Sequence, residues 1–151
     1  MEQLSLQPEP VLASVLALLV SFVLALPIAW NREKGRRRMG LRTFPLVAMA
    51  SCGYVLIGLA ITGQDPDSLA RIIQGLITGV GFIGGGAILK SKEEVRGAST
   101  AAAIWATGAI GAAVALDRHE LAVSIAAMTF LVFLVLTPVR SKMDHGGTEP
   151  E

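Results

Sequence analysis

Five stretches without a charge run through this chain: Val11–Trp30, Thr43–Thr62, Ile72–Leu89, Gly97–Leu116 and Leu121–Val139. Every charged residue falls between or beyond them. Inside each stretch whole helical turns lack a polar face, unlike the amphipathic helices of a soluble domain. Each is close to the ~20 residues that an α-helix, rising ~1.5 Å per residue, needs to cross a hydrocarbon core. The pattern predicts an all-α fold, a polytopic membrane bundle of five transmembrane helices. The connections are short: Asn31–Arg42 is the longest, Gly63–Arg71 and Ser91–Arg96 are tight, and Asp117–Glu120 is barely a turn. Such connections make successive helices antiparallel neighbours. One compact unit is therefore expected over 11–139, with an external leader over 1–10 and a short polar cytoplasmic tail over 140–151.

Charge then orients the bundle. Arg32, Lys34, Arg36, Arg37, Arg38 and Arg42 lie in the first connection, Lys90, Lys92 and Arg96 in the third, and Arg140 and Lys142 in the tail. That is eleven of the thirteen Lys and Arg residues on one face, against Arg71 and Arg118 on the other. Lys and Arg in short loops oppose translocation, so the N-terminus is predicted outside and the C-terminus in the cytoplasm. The leader is acidic (Glu2, Glu9), and the basic cluster follows the first apolar run, which predicts a retained helix and not a cleaved signal peptide. Composition agrees, with a hydrophobic fraction of 52% and a charged fraction of 17%. The lone cysteine, Cys52, excludes an internal disulfide and reads as a small packing residue.

The third and fourth stretches differ from the rest. The third holds Gly75, Gly79, Gly81, Gly84, Gly85 and Gly86, and the fourth is mostly Ala, Gly, Ser and Thr. Helices in lipid associate by close approach, and small residues four apart mark such seams, as at Gly75/Gly79 and Gly81/Gly85. These two helices are expected at the buried centre of the bundle, or of an oligomer, with the other three facing lipid. The run Gly84-Gly85-Gly86 has two readings. It packs closely on the Ala-rich helix, or it breaks its own helix and turns freed carbonyls toward a polar cavity. Arg42 and Arg96, at helix entrances on the same side, would make that cavity a vestibule, or else they snorkel to headgroups and set topology.

Other chemistry is excluded by context. Gly79–Gly84 matches the dinucleotide pattern G-x-G-x-x-G but lies inside a membrane-length run, with no strand before it. Asp65-Pro66-Asp67 reads as a turn and helix start. His119 and His145 are predicted on opposite faces, and no nucleophile, base and acid come together, so no enzyme, no cofactor and no metal site is expected. No nucleic-acid partner is expected either.

The strings GLRTFPLVAMAS (Gly40–Ser51), DPDSLARIIQGLITGVGFIGGGAILK (Asp65–Lys90) and VRGASTAAAIWATGAIGAAVAL (Val95–Leu116) occur in that order. Together they resemble the membrane domain of the MgtC/SapB family of bacteria, whose pattern runs roughly GLRT–xxLV, DPxRxAxQIVxGIGFLGAGxI and VRGLxTAAxLW. The resemblance implies functional roles for Arg42, Thr43, Asp65, Gln74, Gly81, Gly84, Gly85, Gly86, Arg96, Gly97, Thr100 and Trp105. Asn31-Arg32 stands where the family usually has Glu-Arg, and Ala106 where Cys often follows the tryptophan. Many members carry a soluble C-terminal domain, and the resemblance here implies the transmembrane domain alone. It also implies the bacterial inner membrane and a link to magnesium limitation, stress and survival inside host cells.

As partners it implies the lipid bilayer and other integral membrane proteins, a cation P-type ATPase or the ATP synthase, with a homodimer as a further expectation. The competing reading is transport of magnesium or another cation. Magnesium keeps its water shell and is usually held through carboxylates, yet no Asp or Glu lies inside the five stretches. Backbone carbonyls of the glycine run remain as the only pore-lining oxygens besides Gln74. The balance favours a regulator.

Overall fold

The computed structural model describes residues 8–33, 40–63, 65–90 and 95–145. Its helices are α1 (Pro8–Glu33), α2 (Thr43–Thr62), α3 (Pro66–Gly86), α4 (Ala98–Ala115) and α5 (His119–His145). Between α3 and α4 a two-residue antiparallel ladder joins β1 (Leu89–Lys90) to β2 (Val95–Arg96), so this short connection is a hairpin. All five helices are long and apolar enough to cross a membrane. The predicted bundle is present, and α2 coincides with its stretch. α3 starts earlier than the charge-free run because Asp65 caps it and Pro66 sits in its first turn, where a missing N–H costs nothing. α5 runs on past Val139 to His145, just before Gly146 and Gly147.

α4 is the hub. It packs against α1, α2, α3 and α5, and buries Thr100, Ala103, Ile104, Thr107, Gly108 and Ile110 among others. Its small residues permit this. A Cβ added at Gly111 would overlap the carbonyl oxygen of Ala48 on α2, and one at Gly108 would press on Val80 of α3. Around this seam Ile28, Phe44, Val55, Ile104, Ile110 and Phe133 form the core. With no hydrophobic drive between helices in lipid, such close backbone approach is the main source of cohesion.

The expectation for α3 is corrected here. Within this chain α3 is peripheral: its buried residues are Val80 and Gly84, and it packs against α2 and α4. A Cβ at Gly75, Gly79, Gly81, Gly85 or Gly86 would meet nothing within 4 Å. Gly85 is therefore not on the close-packed seam of the chain, and α2, expected to face lipid, is the second most enclosed helix.

Two buried hydroxyls bond to their own helices. Ser21 donates to the Ala17 carbonyl at 2.9 Å and Thr107 to the Ala103 carbonyl at 2.7 Å, each one turn back on its own helix. This removes the cost of an unbonded hydroxyl in an apolar setting.

Candidate functional site

The hairpin end of the bundle gathers many of the residues singled out by sequence. α3 stops there. The Ala87 N–H donates to the Gly84 carbonyl at 3.0 Å, and the Ile88 N–H to the Gly85 carbonyl at 3.1 Å. Both carbonyls are thus engaged in closing the helix. The triple glycine is a helix terminus, and its Gly84 and Gly85 carbonyls are not freed toward a polar cavity. Gly84 packs against the backbone of Ala101 on α4, while Gly85 and Gly86 lie open.

Gly97 caps α4 with φ of 91°, in the left-handed region, and a Cβ there would overlap the Ala87 carbonyl oxygen. The VRG motif is therefore a backbone requirement: the chain must turn tightly out of β2 and pass against the end of α3. Arg96 lies on β2, and its side chain falls outside the described ones. Thr100, in the first turn of α4, is buried and accepts a hydrogen bond from the guanidinium of Arg32 at the end of α1. That guanidinium also lies over the ring of Phe133 on α5, 4.8 Å from its centroid. The neighbouring carboxylate, Glu33, accepts from the Leu41 N–H at 3.2 Å, and Gly40 packs on the Ala29 carbonyl with no space for a Cβ.

Arg42, the residue before α2, is exposed, and Thr43 is half-buried. Trp105 is 56% exposed on α4. It lines a groove of about 430 Å³ with Ile77 of α3 and Ile125 of α5. On the other side of α3 a groove of about 860 Å³ runs between Tyr54 and Ile57 of α2 and Gly75 and Gly79 of α3. Gly81 and Gln74 are exposed on the same helix.

Asp65 is separate. At the far end of α3 its carboxylate accepts from the Ser68 N–H at 2.9 Å, and hydrogen bonds from Ser68 hold its pKa below the ordinary aspartate value. It is a helix cap, as its place before Pro66 predicts. Among the described residues no three His, Cys, Asp or Glu side chains come together as metal ligands.

Arg32, Gly40, Gly111 and Phe133 are the residues that sequence reasoning missed. In the sequence Arg32 reads, with the other basic residues of its connection, as a topology signal. No local feature of the sequence separates it from them, because the ring it lies over, Phe133, is far along the chain on α5.

Comparison with known proteins then adds a family. The MgtC family model matches residues 18–142. Protein SrpB of Synechococcus elongatus is 38% identical over 119 residues, 71% of this chain and 63% of that protein. Protein MgtC of Salmonella typhimurium is 29% identical over 131 residues, 87% of this chain and 55% of that protein. YhiD of Escherichia coli K12, whose name assigns it provisionally to magnesium transport, is 33% identical over 130 residues, 80% of this chain and 59% of that protein. The chain thus spans less than two thirds of the length of these relatives. No solved structure matches.

Proposed function

This chain belongs to the MgtC family, and from that premise we propose that it is a regulator of other integral membrane proteins and not a conduit for ions. The bundle sits in the bacterial inner membrane with the hairpin end in the cytoplasm, where the Lys and Arg bias places it. Its partners are a cation P-type ATPase or the ATP synthase, engaged under magnesium limitation or stress. A homodimer is compatible with the same surface. The observation that carries this reading is the position of α3. A membrane-length helix with an open glycine face, flanked by two apolar grooves, offers the close approach that helix association in lipid needs. The interior supports it too. Among the described residues it is filled by apolar side chains and by hydroxyls such as Ser21 and Thr107 that bond their own helices, so these offer a divalent cation no file of oxygens.

The test is reconstitution of the purified protein in vesicles holding a magnesium-sensitive dye. Influx no faster than in empty vesicles is expected. Saturable influx abolished by substitutions at Gly84–Gly86 would overturn the regulator reading and make the protein a transporter.

A further inference from the structure

Arg32 behaves unlike the other arginines whose side chains are described. Arg42, Arg71 and Arg118 are exposed, whereas Arg32 is half-buried and reaches two further helices, α4 through Thr100 and α5 through Phe133. We propose that Arg32 is a positioning residue: it holds the start of α4, and with it the β1–β2 hairpin, in fixed register against α1 and α5. The end of the bundle so fixed is the one where α3, the docking face proposed above, terminates at the hairpin, and the functional half of the proposal rests on that reading.

Three observations carry it. First, α4 lacks a side-chain N-cap, because Gly97 is required there by its backbone. The first turn of the hub helix therefore needs a tie from outside, and the buried Thr100 hydroxyl takes it from α1. Second, Phe133 is 7% exposed, so the guanidinium lies over a ring that is itself locked in the core. A flat guanidinium donates from its edge while stacking by its face; an ammonium is a point charge and does not combine both. Third, the adjacent Glu33 accepts from the Leu41 N–H, and Gly40 lies on the Ala29 carbonyl. The last turn of α1 thus fixes the approach to α2 as well as the start of α4. A residue that merely set topology would need charge alone, and lysine would serve as well.

The experiment measures the distance between spin labels on Leu41→Cys and Ser99→Cys, both at exposed positions, in purified protein carrying Cys52→Ala. No partner is present, so failure of the docking reading leaves this measurement untouched. The parent should give one narrow distance distribution. Arg32→Lys, which keeps the charge, should add a second, longer population, and Phe133→Leu should add the same one. The double substitution should go no further than the larger single effect, because the ring acts by holding the guanidinium in place. Thr100→Ser should resemble the parent and Thr100→Val should not. Should Arg32→Lys fail to fold, Phe133→Leu and the Thr100 pair still decide. An unchanged distribution in Arg32→Lys, no effect of Phe133→Leu, or an additive double would overturn the proposal.

Discussion

α3 and α4 look alike as sequence, glycine-rich and alanine-rich runs of membrane length, yet they occupy opposite extremes of the bundle. α4 touches every other helix and buries over half of its apolar window, while α3 buries 11% of its own. The difference lies in what each glycine faces. Gly108 and Gly111 look onto Val80 and onto the Ala48 backbone, whereas Gly75, Gly79, Gly81 and Gly85 look onto open space. Small residues permit close approach; they do not say that the approaching partner belongs to the same chain.

The sharpest way to break this contrast is to add one methyl group at a time. Where space is open, alanine should stabilise a helix by up to about 1 kcal/mol relative to glycine. Gly79→Ala and Gly85→Ala should therefore leave thermal stability in detergent unchanged or raised. Gly111→Ala must separate α2 from α4 by backbone displacement, and overpacking of this kind costs typically ~1–3 kcal/mol. Gly111→Leu should yield no folded protein. Equal melting temperatures for Gly79→Ala and Gly111→Ala would dissolve the distinction between hub and periphery. If α3 is a docking face, Gly79→Leu should keep the monomer stable and still lose partner binding.

Much of this fold was legible because lipid demands it. Backbone groups in hydrocarbon must bond within their own helix, so charge-free runs of the right length could only be helices. Which face of each run packs inward was not legible. In water the core-facing stripe is marked by its polar reverse, but in lipid both faces are apolar, and Leu46 outside looks like Val55 inside. The candidate site divides the same way. Asp65 before Pro66 has a local meaning, a helix start, that survives in the structure as a cap, whereas the left-handed turn at Gly97 is seen only in the structure. Arg32 could not be told from Arg42, because its burial depends on Phe133, which lies far along the chain on α5.

A smaller effect separates two glycines with positive φ. Gly63, after α2, has φ of 63° and nothing within 4 Å of an added Cβ; Gly97, before α4, has φ of 91° and lies on the Ala87 carbonyl. Alanine at Gly97 meets the left-handed cost of ~1–2 kcal/mol, and at Gly63, whose ψ of −140° lies in a region open essentially to glycine, a backbone strain of about 1–3 kcal/mol. At Gly97 it also forces β2 away from the end of α3. Gly97→Ala should lower the melting temperature more than Gly63→Ala and should speed hydrogen exchange in the first turn of α4. Equal effects would mean that the hub helix does not depend on its tight entry.

The smallest effect concerns how the two helices begin. α3 starts on a titratable side chain, since Asp65 accepts from Ser68, and its carboxyl pKa is lowered by that bonding. α4 starts on Gly97, which has no side chain to titrate. A carboxyl whose pKa is lower when folded than when unfolded stabilises the helix above its unfolded value and loses that contribution as pH falls through the folded value. The first turn of α3 should therefore loosen in acid below the ordinary carboxylate range, while the first turn of α4 holds. Asp65→Asn supplies the control, because asparagine caps a helix without titrating. At each pH the amide exchange of Ser68 and Leu69 is compared between parent and variant. The parent should be the better protected at neutral pH, and its advantage should vanish on acidification. A constant difference across the range would mean that the cap at Asp65 is geometric and its charge immaterial.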